Sequence, residues 1–166
     1  MKNEITGMKL RLIVMNFLQF AVWGAYLTSM GTYLFNIGLG AKIGLFYAMQ
    51  GIVSLFMPAI MGIIADRWVP AQKLYGFCHF MAAVFMVAAG WYGYVDGEAV
   101  NFGTLFTFYS LSVAFYMPTL ALTNSVAYTA LDKVKLDPVI AFPPIRIFGT
   151  IGFICSMLLT DILGFQ

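Results

Sequence analysis

The chain has 166 residues, of which 61% are hydrophobic and 10% are charged, and its formal net charge is +2. Soluble globular domains carry roughly 25% charged residues, so this composition excludes a water-facing surface and predicts an integral membrane protein. The small net charge gives no basis for nucleic acid as a partner and leaves the lipid bilayer as the expected surroundings.

Five stretches of the sequence are long and apolar enough to cross a bilayer, which takes about 20 predominantly apolar residues. We expect an all-α protein with membrane helices at about residues 10–35, 43–65, 74–94, 102–131 and 143–163. The first stretch is too long for the apolar part of a signal peptide, so it is predicted to be the first span. The fourth is long and contains Pro118, so we expect it to tilt or kink.

The basic residues between these stretches predict the orientation of the chain. With the N-terminus in the cytoplasm, Lys42 lies on the outer side and Arg146 lies near the start of the fifth helix. The other seven basic residues then lie on the cytoplasmic side: Lys2, Lys9, Arg11, Arg67, Lys73, Lys133 and Lys135. Because positive charge favours the cytoplasmic side, we expect a multi-pass protein with its N-terminus in the cytoplasm.

Polar and aromatic side chains form a stripe on each of two predicted helices. One face of the first helix carries Gln19, Trp23, Tyr26 and Met30. One face of the fourth helix carries Tyr109, Ser112, Tyr116, Thr119 and Thr123. The stripes fit a wet cavity that binds a flat polar ligand, but such side chains also pack helices together, so both interpretations stay open.

Small residues predict close contacts between helix backbones. The first helix carries Gly24, Thr28 and Gly31 on one face, and the fifth carries Gly149 and Gly152. We expect both groups to pack helices rather than to bind a ligand.

Arg146 is the most informative charge. If the fifth helix begins at Pro143 or Pro144, Arg146 lies one turn inside and can extend to the lipid headgroups. If the helix begins near Asp137 and Pro138, which resemble a cap and a first-turn proline, Arg146 lies deeper. The spacing alone favours the headgroups.

The sequence contains no visible catalytic motif: no H-E-x-x-H, nucleophile elbow, phosphate loop or pair of carboxylates. Its two cysteines, Cys78 and Cys155, lie in apolar stretches without metal-ligand spacing. We therefore expect no enzyme, no catalytic residue, no metal and no cofactor.

The link between the second and third predicted helices carries the run GIIADR, residues 62–67, followed by Lys73. It resembles the signature loop of the major facilitator superfamily, where a glycine is followed four residues later by Asp-Arg and then by basic residues. The match is partial, because residues 69–71 stand where that motif often has a glycine and a basic pair. The resemblance implies a gating role for Gly62, Asp66 and Arg67.

Four further stretches narrow the resemblance to bacterial nucleoside/proton symporters of that superfamily. They are LQFAVWG at 18–24, FMPA at 56–59, YMPTL at 116–120 and FPPIRIFGTIGF at 142–153, the last being long and unusual. The resemblance covers essentially the whole chain, but only the first five of the twelve helices of such a transporter. It implies a major-facilitator-type helical bundle in the bacterial inner membrane that carries nucleosides, coupled to proton uptake, by alternating access.

The same resemblance assigns the substrate site. It implies that the first and fourth helices line the cavity and that the substrate contacts are Arg146, Thr150, Phe153, Gln19, Trp23 and Tyr116. A guanidinium and a hydroxyl group could bond the polar edges of a nucleoside, and a ring could stack on its base. No carboxylate lies in the middle of a predicted helix, so the proton-coupling group is expected in helices beyond this chain.

Two alternatives remain open. Another small polar solute, such as a sugar, could use the same fold, or the chain could be a non-transporting membrane scaffold. A scaffold has no need for aligned amides and rings facing a cavity, which favours transport. The chain stops after residues 161–166, where an outer loop is expected, so we expect residues 1–166 to be the incomplete N-terminal half of a transporter.

Overall fold

The structure, a computed structural model, describes residues 2–164. Within that range it contains five long helices: α1 (Lys2–Asn36), α2 (Ile43–Arg67), α3 (Ala71–Asp96), α4 (Phe102–Lys133) and α5 (Pro138–Ile162). All five are long and apolar enough to cross a membrane, which confirms the predicted all-α membrane fold. The last two residues, where the chain was expected to run into an outer loop, lie outside the described range.

The ends of the helices differ from the prediction because hydropathy detects the apolar span and not the helix itself. α1 begins at Lys2 rather than near residue 10, and Glu4 in its first turn complements the helix dipole. α5 begins at Pro138, so residues 138–142 are helical and not part of a loop. Asp137 caps this helix by accepting a hydrogen bond from the Val139 N–H at 2.9 Å, with proline in the first turn.

The chain forms two compact units. The first contains Met1–Tyr33 and Asn124–Gln166, which hold most of α1, the end of α4 and α5. The second contains Leu34–Thr123, which hold α2, α3 and most of α4.

In the first unit, α1 and α5 pack backbone against backbone. A Cβ atom built at Gly152 would lie 2.9 Å from the carbonyl carbon of Phe17, and one at Gly24 would lie 2.7 Å from the carbonyl oxygen of Phe153. A Cβ at Gly149 would lie 2.6 Å from the Phe20 ring. The predicted packing role of these three glycines is confirmed, because no larger residue leaves room for the neighbouring helix.

The turn from α4 to α5 lies at the other end of the contact between α1 and α5. Lys135 has a φ of 57°, and the Leu136 N–H donates to the Leu131 carbonyl at 3.1 Å, as in a Schellman motif. Leu131 is fully buried in a cluster with Leu12 of α1 and Ile145 of α5. The cluster thus joins the start of α1, the end of α4 and the start of α5.

In the second unit, hydrogen bonds join the helices through polar side chains. The Gln50 amide of α2 donates to the Tyr109 hydroxyl of α4 at 2.5 Å. The Ser112 hydroxyl of α4 donates to the Ala82 carbonyl of α3 at 2.7 Å. Such bonds offset the cost of placing polar groups in an apolar environment.

Candidate binding site on α1 and α5

Arg146 is the ninth residue of α5, about 12 Å along the helix from its first residue. The headgroup interpretation required a helix start at Pro143 or Pro144, and that start is wrong. The guanidinium carbon of Arg146 instead lies 3.8 Å from the centre of the Phe20 ring on α1. A cation held over an aromatic face in this way is attracted by the ring quadrupole.

Phe20 belongs to a row of aromatic side chains. Its ring centre lies 6.2 Å from that of Trp23, and Trp23 lies edge-on to Phe153 of α5 at 5.8 Å. We call Arg146, Phe20, Trp23 and Phe153 the α1–α5 array. It presents one cation and three rings from two helices that the glycines hold together.

The Trp23 indole adds a hydrogen-bond donor to this array. Its Nε1 atom is buried and has no hydrogen-bond partner within residues 2–164. Leaving a buried donor unpaired costs about 1–3 kcal/mol. A hydrogen bond from this N–H to a ligand acceptor would therefore contribute more binding free energy than one from a solvent-exposed donor.

Thr150 lies one turn after Arg146 and is exposed. Both residues line an open depression of about 470 Å³, together with Phe142, Pro143 and Ile147. This volume lies within the range of small-molecule sites, about 300–1,000 Å³. Of the predicted residues on α5, Arg146 and Thr150 therefore share one depression, and Phe153 connects to Arg146 through Trp23 and Phe20.

Two of the predicted contacts, Gln19 and Tyr116, do not line this depression. Gln19 lies on α1 directly before Phe20, and only 2% of it is exposed. Tyr116 belongs to the second unit, where its ring is buried and lies edge-on to the His79 ring at 5.9 Å. His79 in turn lies 4.5 Å from the Tyr75 ring, so Tyr116 belongs to a cluster of polar rings on α3 and α4.

Asn16 and Phe20, both on α1, were not predicted as site residues from the sequence. Asn16 is fully buried, and its amide donates to the Leu12 carbonyl at 2.9 Å while its Oδ1 atom has no partner within the described chain. Its position seven residues before Trp23 places it on the same helix face and could have revealed it. Phe20 carries no polar signal, so only its contact with Arg146 identifies it.

The rest of the α4 stripe serves packing. Tyr109 and Ser112 hydrogen-bond to α2 and α3, as described above. The hydroxyls of Thr119 and Thr123 donate to carbonyls of their own helix, those of Tyr116 and Thr119, at 2.6 and 2.7 Å. For these residues the packing interpretation of the stripe holds.

The proposed gating residues lie at the end of α2. Asp66 and Arg67 are exposed and belong to the last turn of the helix, so the link to α3 is shorter than predicted and spans 68–70. The positive charge of Arg67 is favourable at a helix C-terminus. A Cβ atom built at Gly62 would meet nothing within 4 Å, so the packing of this chain does not require glycine there.

The chemistry available in the α1–α5 array is that of binding. It offers a planar cation, three rings, a buried indole N–H and a neighbouring hydroxyl group, which together suit a flat ligand with polar edges. Among residues 2–164, no three His, Cys, Asp or Glu side chains are grouped so that they could hold a metal ion.

Comparison with known proteins gives consistent relatives. The sequence profile of a family described as "Nucleoside H+ symporter" matches residues 6–165. The xanthosine permease of Escherichia coli (strain K12) is 42% identical over 159 residues, which are 95% of this chain and 36% of that protein. The nucleoside permease NupG of the same strain is 40% identical over 163 residues, 96% of this chain and 37% of that protein.

Solved structures lead to the same relatives. Two crystal structures of the nucleoside transporter NupG match with TM-scores of 0.85 and 0.83, at 40% and 39% sequence identity. Each covers 95% of this chain, and this chain covers 38% of each. The chain therefore spans little more than a third of the length of the relatives it matches, which are permeases and not enzymes.

Proposed function

This chain belongs to the nucleoside H+ symporter family, and on that premise we propose that it forms part of a transporter that carries nucleosides together with protons by alternating access. The observation that carries the proposal is the α1–α5 array, where Arg146 lies over Phe20 and Trp23 contacts Phe153. A scaffold needs close backbone packing, but it does not need a cation and an unpaired indole N–H beside that packing.

We propose the following roles for the side chains. The Arg146 guanidinium donates to oxygen atoms of the nucleoside, because its planar fork of donors matches two acceptors at once. Thr150 adds a hydroxyl group from the same depression, and the Phe153 ring stacks on the base. The Trp23 N–H donates to a further acceptor, and Gln19 is a further contact from α1. Tyr116, which belongs to the second unit, is proposed as a substrate contact in its own right.

The close α1–α5 packing supports a movement of these two helices as one body. Gly24, Gly149 and Gly152 leave no space for a change of register that keeps the present contact. The end of α2, with Gly62 and the exposed Asp66 and Arg67, is the proposed gating segment, since it lies where the helix ends.

The proton-accepting group is proposed to lie outside residues 2–164. The acidic residues of the chain number seven, and each stands near a helix end or in a link: Glu4, Asp66, Asp96, Glu98, Asp132, Asp137 and Asp161. A proton-coupled carrier normally places a titratable group in the path of its substrate. The α1–α5 array therefore supplies substrate contacts rather than the coupling group.

We also propose that the N-terminus lies in the cytoplasm of a bacterial inner membrane, from the distribution of basic residues. Single cysteines replacing Ala41 and Pro70 test it, in an intact gene product without Cys78 and Cys155. A membrane-impermeant thiol reagent added to intact cells should label the cysteine at 41 only. Labelling at 70 would reverse the orientation.

Direct binding to the purified intact gene product tests the transport proposal. Calorimetry should detect saturable binding of uridine, adenosine or xanthosine and none of glucose, and labelled nucleoside uptake by cells should stop when a protonophore collapses the proton gradient. Binding of glucose instead would favour a sugar carrier. A protein that binds and transports neither would favour a scaffold.

A further inference from the structure

A second cavity lies at the end of the first unit away from the α1–α5 array. Its volume is about 760 Å³, and the start of α1 and the turn after α4 line it. The charged residues of this lining are Glu4, Arg11, Lys133 and Lys135. The basic groups outnumber the acidic one by three to one, and all four side chains are exposed to solvent.

The charges give this cavity a chemical preference. Arg11 approaches it from α1, whereas Lys133 and Lys135 approach it from the end of α4, so the positive groups come from two sides. Converging cations of this kind bind the oxygen atoms of phosphate groups, arginine by paired hydrogen bonds and lysine as a point charge. Lys9, on the same turn of α1, does not line the cavity.

The backbone conformation of Lys135 allows the contribution of its side chain to be tested separately from the turn. Lys135 has a φ of 57°, a conformation that glycine or asparagine usually provides at the end of a helix. A lysine there carries a conformational cost that glycine would avoid. Replacing Lys135 by glycine would therefore remove the ammonium group while keeping the turn.

The apolar part of the lining distinguishes between two sources of phosphate. Ile5, Met8 and Val134 line the same cavity as the basic residues. A free phosphate ion gains nothing from apolar walls, whereas a phospholipid presents a phosphate next to its glycerol and acyl chains. The cavity also lies at an end of membrane-spanning helices, where headgroups are found.

We propose that this cavity binds the headgroup of an anionic phospholipid, with Arg11, Lys133 and Lys135 holding the phosphate and Ile5, Met8 and Val134 the adjoining glycerol region. With the proposed orientation the cavity faces the cytoplasmic leaflet, whose anionic lipids attract basic side chains. The inference does not rest on nucleoside transport, because none of these residues belongs to the α1–α5 array or its depression.

Native mass spectrometry of the intact gene product in detergent tests the proposal. The protein should bind phosphatidylglycerol in preference to phosphatidylcholine, which carries a phosphate but no net charge. Replacing Arg11 and Lys133 together by glutamine should weaken phosphatidylglycerol binding about thirtyfold, that is about fivefold for each basic residue near an anionic surface. The matched control replaces Lys9 and Lys73, two exposed lysines outside the cavity, and should bind as the wild type does.

The variant Lys135→Gly separates the role of the side chain from that of the fold. Glycine adopts a positive φ at lower cost, so the thermal midpoint should stay the same or rise, while binding of phosphatidylglycerol falls about fivefold. Unchanged lipid binding by this variant would show that Lys135 only completes the turn and would overturn its assignment.

Three further results would overturn the lipid site. The cavity variant and the control variant could lose affinity equally, which would indicate a general charge effect. Phosphatidylcholine could bind as tightly as phosphatidylglycerol. Inorganic phosphate could stabilise the wild type but not the cavity variant, while neither phosphatidylglycerol nor phosphatidylcholine stabilises the wild type. That result would assign the cavity to a free anion. Nucleoside binding, measured on the same samples, reports on the other site, so the two proposals fail separately.

Discussion

The two units of the chain differ in how their polar side chains are hydrogen-bonded. In the second unit, Gln50, Tyr109 and Ser112 pair with partners on neighbouring helices. In the first unit, glycines bring the helices together, and buried polar atoms of Asn16 and Trp23 have no partner within the described chain. Each unit has an exception: in the second, the buried hydroxyl of Ser110 has no partner within the described chain, and in the first, the hydroxyls of Thr28 and Thr160 lie 3.4 Å apart across α1 and α5.

This difference teaches what each unit is suited to do. Pairing of polar groups across helices stabilises a bundle, by about 0.6 kcal/mol on average in membranes. An unpaired buried donor destabilises the empty protein and becomes favourable only when a ligand supplies the acceptor. The first unit therefore has the character of a binding surface, and the second, apart from the proposed contact of Tyr116, that of a support. Single substitutions in each unit test this division.

Arg146 should have the largest effect on binding. Both Arg146→Ala and Arg146→Lys should weaken nucleoside binding by roughly 1.5–3 kcal/mol, about ten- to a hundredfold, because an ammonium lacks the planar fork of a guanidinium. Calorimetry on the purified intact gene product measures it, with Lys42→Arg as a control at an exposed cation outside the first unit. Wild-type affinity of Arg146→Lys would remove the array from the substrate site.

Gly152 should have the largest effect on stability. A methyl group there meets the Phe17 backbone, so Gly152→Ala should lower the free energy of unfolding by about 1–3 kcal/mol. The matched control is Gly90→Ala in α3, where a Cβ atom meets nothing within 4 Å and alanine is the better helix former. Thermal unfolding in detergent compares the two. Equal midpoints would mean that α1 and α5 do not depend on this contact.

Trp23→Phe tests whether the indole N–H binds the ligand or serves the fold. A smaller aromatic ring remains and the N–H is lost, so the removal of an unpaired buried group should offset part of the packing that is lost with the second ring of the indole. Nucleoside affinity should fall by about 0.5–1.5 kcal/mol, or roughly two- to tenfold. A variant that keeps its nucleoside affinity would exclude the indole N–H from the site.

Tyr109→Phe should behave in the opposite way. It removes the hydroxyl that accepts from Gln50, so the free energy of unfolding should fall by about 0.6 kcal/mol, up to about 1.7 kcal/mol, while nucleoside affinity is unchanged. Thermal unfolding and calorimetry on the same preparation measure both. If affinity fell as in Trp23→Phe, the second unit would contribute to binding through this residue and the division between the units would be wrong.

Asp66→Asn should have the smallest effect on equilibrium affinity. The exposed end of α2 is the proposed gating segment, so the variant should transport nucleosides more slowly while its affinity stays within a few-fold of the wild type. Uptake into cells, normalised to protein in the membrane, measures the rate, and calorimetry measures the affinity. Normal uptake would mean that Asp66 only influences topology.

The sequence determined the membrane class, the number of spans and the family. These properties depend on local composition: a helix partitions into the bilayer by its own apolar length, and the FPPIRIFGTIGF run is contiguous. Glycine packing of α5 was also predictable, since small residues at helical spacing have few other uses in a membrane helix. Asp137 and Pro138 indicated the start of α5, but hydropathy alone placed that start five residues too late.

Only the tertiary structure decided which polar side chains have partners. Gln50 and Tyr109 are 59 residues apart, and Ser112 and Ala82 are 30 apart, so no local pattern indicates that they bond. Phe20 became a partner of Arg146 because α1 and α5 touch, and its side chain alone carries no signal of that role. Helical spacing predicts which face a residue occupies, whereas the partner on the opposite face depends on how the helices pack.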